Sequence, residues 1–263
     1  MFPERIVCLS AESADICDRL GAGDRVVAVS AFAPRSMRAG RAIVGGFSTL
    51  KRDDVLSIDP DLVITFSDVQ AQMAADLIRN HCTVLATNQR SLDGIVRTIL
   101  LMGRVIGCSF EAEKLASDFE CQLEKLRRDE LPRPRVYFEE WDEPLITGIR
   151  WVSELIGIAG GDDVFPERAL CALAKDRILG DAGEVVRRAP DVILGSWCGK
   201  RFRPAAVAAR AGWAAVPAVR DGELHEIKSP LILQPGPAAL TDGLDAIHHV
   251  LRQWSTSQRA EAT

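Results

Sequence analysis

Along the first half of the chain, short uninterrupted apolar runs alternate with longer stretches whose apolar residues recur every three or four positions. Uninterrupted runs fit parallel strands covered on both faces, whereas half-exposed strands would alternate apolar and polar residues. The pattern predicts strands over 5–9, 26–29, 62–65 and 83–85, and helices over 11–20, 51–57 and 69–80. Ser10 stands where the first helix wants an N-cap oxygen, and Gly21 with Gly23 supply the positive φ that ends it. From 91 to about 128 the spacing is helical throughout, by way of Leu92, Ile95 and Ile99 and, after Gly107, Ala112, Phe119 and Leu126. Pro132 and Pro134 stop it.

The same grammar then restarts, with strands predicted over 135–138, 191–194 and 224–226 and helices over 150–159, 181–189, 204–211 and 237–254. Gly160 and Gly161 close the first of these helices. An internal echo links the halves: KRDDVLSIDPDLVI at 51–64 and DAGEVVRRAPDVIL at 181–194 both run from a short helix through Pro-Asp into a branched aliphatic strand. The predicted fold class is therefore α/β, two Rossmann-like lobes with mainly parallel sheets joined by one long backbone helix. Its parts are an N-terminal lobe 1–106, a connecting helix 107–131, a C-terminal lobe 132–254 and a tail 255–263 expected to fray. A helix of about 20 residues spans about 30 Å, enough for a stiff strut.

Charge narrows the partners. A net charge of −5 and a pI near 5.5 argue against nucleic acid, since a polyanion needs clustered cations to displace its counterions. Arg35, Arg38, Arg41, Lys51 and Arg52 read as scattered surface charge rather than a binding patch. No apolar run approaches the roughly 20 residues of a membrane-spanning helix, so no membrane insertion is expected. The opening MFPERIVCLS has neither a basic leader nor an apolar core, which predicts a cytoplasmic protein as given, and a periplasmic one if the start codon is misassigned. Seven cysteines without a CxxC pair fit a reducing compartment and buried small hydrophobes. Cys198 stands apart, since it lies in a glycine-flanked turn with Lys200 and Arg201 expected to lower its pKa.

Catalytic signals are missing from the sequence: there is no GxSxG, no Walker A and no GxGxxG. His81, His225, His248 and His249 share no metal-ligand spacing, and the adjacent last two point about 100° apart on a helix. The best metal candidate would join Cys198 with Glu139 or Glu140 or His225. Glu139 and Glu140 are adjacent in an extended segment and face opposite sides of it, which does not suit paired acid-base work.

Several phrases together resemble one family. RIVCLSAESADICDRLGAGDRVVAVS, DVLSIDPDLVI, ELIGIAGGDDVF, EVVRRAPDVIL and PGPAALTDGLDAIHHVL, in this order, look like the substrate-binding proteins of cobalamin, haem and siderophore ABC importers, most closely the cobalamin-binding subgroup. That resemblance implies a ligand held between two lobes, with aromatic side chains covering the face of a corrin at the positions of Phe32, Phe47 and Phe66. From the second lobe, the turns expected after strands 135–138 and 191–194 would bring Glu140, Trp141, Trp197, Lys200, Arg201 and Phe202 to the same ligand. Permease docking in such proteins uses an acidic residue on each lobe. Asp53 matches the first, while the second aligns with Gly183, beside Glu184. The expected function is binding of cobalamin or a similar large planar metal chelate, without an intrinsic cofactor. The alternatives are a cytoplasmic enzyme or chaperone that processes or hands over such a ligand, and a metal-ion binding protein of similar fold.

Overall fold

In the computed structural model, which describes residues 2–126 and 132–261, the apolar runs of the first half become a parallel five-stranded sheet. Its elements are β1 (Ile6–Cys8), α1 (Ala11–Arg19), β2 (Val26–Val29), α2 (Arg35–Arg38), β3 (Ala42–Ile43), α3 (Arg52–Ile58), β4 (Leu62–Phe66), α4 (Ala71–Arg79), β5 (Val84–Thr87), α5 (Leu92–Ile106) and α6 (Ser109–Leu126). The strand order is β3-β2-β1-β4-β5, which puts β1 at the centre. Val7, Ala28, Val44, Val55, Val63 and Leu77 close one core against this sheet, and each buried valine or leucine contributes about 2 kcal/mol.

Two local expectations need correction. Ser10 occupies the N-cap of α1 but its hydroxyl donates to Ser13 Oγ at 3.0 Å instead of capping the helix. Of the two glycines after α1, Gly21 takes φ +76°, while Gly23 begins a 3-10 turn. The helical stretch that begins near 91 is two helices, α5 and α6, broken at Gly107 (φ +74°). Gly103 lets α5 and α6 approach, since a Cβ there would lie 2.4 Å from that of Ala112. The end of the expected connecting helix, 127–131, lies outside the described residues.

The second half builds a mixed sheet. It comprises β6 (Arg135–Asp142), β7 (Leu145–Thr147), α7 (Arg150–Ile158), β8 (Asp162–Asp163), α8 (Pro166–Ala169), α9 (Gly183–Arg188), β9 (Val192–Gly195), α10 (Pro204–Ala208), α11 (Pro217–Arg220), β10 (Leu224–Glu226) and α12 (Ser229–Ile232). One turn of π-helix at Ala239–Gly243 leads into α13 (Leu244–Glu261). The order is β10-β9-β6-β7, and β8 shares with β7 the edge of β6 that faces away from β9. β6 does not stop at 138: its far half pairs antiparallel with β7, Trp141 opposite Ile146 and Asp142 opposite Leu145. The tail expected to fray continues α13 as far as Glu261. Ser255 anchors it, buried, its hydroxyl reaching Leu251 O at 2.8 Å and Pro132 O at 2.6 Å. Residues 262 and 263 lie outside the described residues.

The echo at 51–64 and 181–194 is a structural repeat. Asp59 (φ 51°) and Ala189 (φ 43°) each end a helix in the left-handed region before a proline. The next residue is aspartate in both halves, and it accepts the amide that opens the central strand: Asp61 from Arg5 at 3.0 Å, Asp191 from Arg135 at 2.8 Å. The chain divides into two compact units, one of Met1–Gln89, Asp93–Asp118 and Gln234–Ala238, the other of Arg90–Leu92, Phe119–Leu233 and Ala239–Thr263. Among the described residues no helix is long and apolar enough to cross a membrane.

Candidate functional site

In the first unit, the turns after β2 and β3 carry Phe32 and Phe47 to the carboxyl end of the sheet, where open α/β sheets bind ligands. Both rings stand out from the surface, 54% and 43% exposed. The two turns are tied together, Ala31 N donating to Gly45 O at 2.8 Å. A Cβ on Gly46 would lie 3.7 Å from Phe32 Cε2, so the Phe32 ring rests beside the residue that precedes Phe47. Phe66 differs. It ends β4 with its ring buried, and the exposed apolar side chain of the next turn is Val69. The backbone there is strained, with Ser67 at φ 62° and ψ 174°, a region that side chains other than glycine rarely enter.

In the second unit, β6 sends Glu139 and Glu140 to opposite sides. Glu139, fully buried, accepts from Trp197 Nε1 at 2.9 Å and from Arg210 at 2.6 and 2.8 Å. Burial opposes the Arg210 charge, yet the hydrogen bonds and charge of Glu139 hold its pKa above the usual range. The nearby Tyr137 hydroxyl is pushed well up, first by burial and then by the Glu139 charge. Glu140 pairs with buried Arg177 at 2.6 and 3.2 Å, and Arg177 also donates to Thr147 O.

Trp197 and Phe202, expected at the ligand surface, are core residues. They meet edge to face, centroids 5.0 Å apart, and are 1% and 2% exposed. A buried indole N–H needs an acceptor, and Glu139 supplies it. Gly195 supplies the space, since a Cβ there would fall 1.9 Å from Phe202 Cδ2. Gly195→Ala is accordingly expected to expel the Phe202 ring, lower stability by about 1–3 kcal/mol and shift tryptophan emission. A variant with the melting curve and emission of the parent would refute this packing.

What remains at that surface is a smaller group. Trp141 is half-buried, its Nε1 donating to Glu143 O at 2.8 Å. Lys200 Nζ lies 4.2 Å from the Trp141 ring centroid and 4.9 Å from that of Trp197, and pairs with Asp142. Such a cation over desolvated rings contributes about 1 kcal/mol. Arg201 is exposed.

Cys198 is exposed as a residue, but burial around the thiol and then the Glu140 charge raise its pKa, opposite to the expectation from Lys200 and Arg201. Lys200 faces the rings and Asp142, which leaves its charge engaged elsewhere. The imagined metal set does not assemble: Glu139 is held by Arg210, Glu140 by Arg177, and His225 Nε2 lies 2.7 Å from Glu223. Among the described residues no three His, Cys, Asp or Glu side chains are placed to hold an ion. Asp53 is strongly exposed beside Arg52, whereas Glu184 is engaged by Arg188 at 2.6 Å and Arg168 at 3.4 Å. Gly183 opens α9 next to it.

Comparison with known proteins agrees with the fold. The vitamin B12-binding protein of Vibrio parahaemolyticus serotype O3:K6 is 24% identical over 253 residues, covering 94% of this chain and 89% of that one. The solved structure of periplasmic vitamin B12-binding protein BtuF of Vibrio cholerae matches with a TM-score of 0.76 at 23% identity, covering 96% of this chain and 98% of the other. Periplasmic heme-binding protein RhuT of Roseiflexus sp. RS-1, in apo form, gives 0.78 at 24% identity, with 94% and 99% covered. The family model described as periplasmic binding protein matches residues 6–231. With that match running across both sheets, the chain belongs to the periplasmic binding protein family.

Proposed function

We propose that this protein binds a large planar metal chelate of the corrinoid class, cobalamin first among them, and serves as the solute-binding component of an ABC importer. The observation that carries the reading is the exposed Phe32 and Phe47 pair at the carboxyl end of the first sheet. Two phenyl rings held out from a structured turn cost little entropy to order and suit a flat apolar ligand face. Relatives named for vitamin B12 binding support the corrinoid over other chelates. The carboxyl-end surface of the second unit, with Trp141, Lys200 and Arg201, is a further ligand-binding candidate, to be tested by its own substitutions. For the permease, exposed Asp53 is the docking side chain on the first unit.

Titration with cyanocobalamin, followed by quenching of tryptophan fluorescence, is expected to saturate at micromolar ligand or below. Phe47→Ala and Phe32→Ala are each expected to weaken it about tenfold. Hemin and a ferric hydroxamate are the comparison ligands: saturation by one of these without response to cyanocobalamin would reassign the ligand, and no saturable response to any would end the reading.

A further inference from the structure

We propose that Gln70 is a positioning residue for the aromatic rim, a role that rests on the ligand-binding reading of Phe32 and Phe47. The side chain of Gln70 is completely buried, where an amide without partners would cost about 1–3 kcal/mol. It has three partners, on three different segments. Its Nε2 donates to Leu9 O at 3.0 Å, just beyond β1, and to Phe47 O at 2.9 Å, on the turn after β3. Its Oε1 accepts the amide of Phe66, the last residue of β4, at 2.9 Å. One carboxamide thus ties the turn that carries Phe47 to the ends of the two central strands.

The backbone that holds Gln70 is itself constrained. Ser67 keeps its unusual conformation through its amide, which donates to Thr87 O at 2.7 Å, and its hydroxyl, which accepts from Val69 N at 3.3 Å. Gln70 N donates back to Ser67 O at 3.1 Å. The turn at 67–70 is therefore fixed from β5 and in turn fixes the Phe47 turn. The hydrogen bonds of that turn on its own, Gly46 N to Thr49 O and Thr49 Oγ1, both at 3.0 Å, bind it only to itself. Pre-ordering of this kind raises affinity because the ligand does not have to supply the ordering free energy.

Gln70→Met keeps the length of the side chain and removes all three hydrogen bonds. Two measurements on it are compared with Ile99→Ala, a cavity variant at a fully buried position of α5 in the same unit. Amide hydrogen exchange at Phe66, Gly46 and Ala31 is expected to accelerate at least about tenfold in Gln70→Met and to stay unchanged in Ile99→Ala. Affinity for cyanocobalamin is expected to fall about tenfold in the first and to hold in the second at matched loss of melting temperature. Equal affinity loss in both variants would reduce Gln70 to a stability residue, and unaltered exchange around Phe47 in Gln70→Met would overturn the proposal. If the parent protein does not bind cyanocobalamin, the ligand reading falls by itself, and the exchange comparison alone decides whether Gln70 orders the rim.

Discussion

Urea denaturation of Glu139→Ala, followed by tryptophan fluorescence, is expected to show a loss of about 3–5 kcal/mol relative to the parent chain. The attraction between Glu139 and Arg210 offsets the cost of drawing both from water only while both are present. Without the carboxylate, the guanidinium stays largely buried over Trp213, 4.5 Å from its ring centroid, having lost its paired counter-charge and keeping only the weaker influence of Asp142. The indole of Trp197 loses its acceptor in the same step. All five tryptophans, at 141, 151, 197, 213 and 254, belong to the second unit, so the signal reports on the unit that holds the pair. Glu139→Gln keeps an acceptor for the indole and is expected to lose less. A loss below about 1 kcal/mol in the alanine variant would mean that Arg210 finds relief elsewhere, and that Glu139 does not organise this unit.

That pair also marks the limit of what the sequence shows. The parallel strands are legible because burial on both faces forces uninterrupted apolar runs, and β2 falls on its expected bounds. The short strands β3, β7 and β8 carry no period to read and are not expected from the sequence. The Pro-Asp echo is legible as a repeat, but its meaning lies in hydrogen bonds across 56 residues. Among the site residues, Phe32 and Phe47 follow glycines or strand ends in polar turns, and their exposure fits that context. Trp197 and Phe202 sit in an equally polar turn and are buried. What decides their fate is an acceptor 58 residues away and the missing side chain of Gly195. Gln70 is hidden for the same reason: a polar residue in a helical stretch looks solvated until its partners at Leu9 and Phe47, distant in sequence, are seen.

Stability should also depend on pH through Glu12, on the first turn of α1. Its carboxyl is buried, with Oε1 lacking a hydrogen-bond partner, and the 234–238 segment closes over it, a Cβ on Gly236 falling 2.7 Å from its own. Burial raises its pKa from 4.5 to about 7, opposed by the Ser10 hydroxyl and a backbone hydrogen bond and assisted by the charge of Asp15. Below pH 4.5 the folded and unfolded chains both carry the proton, and the group adds no pH dependence. Between 4.5 and 7 the unfolded chain releases it while the folded chain keeps it, so stability falls as pH rises through this window and levels off above it. The whole effect is about 3 kcal/mol. Glu12→Gln cannot ionise. Its stability relative to the parent, measured by far-UV circular dichroism in urea, is expected to improve by up to that amount between pH 5 and pH 8. Asp15, raised by burial but held by Arg19 and the amide of Ala238, titrates in both proteins and largely cancels from the difference. A gap between the two proteins that is the same at pH 5 and pH 8 would show that Glu12 reaches water in the folded chain and ionises at its ordinary pKa.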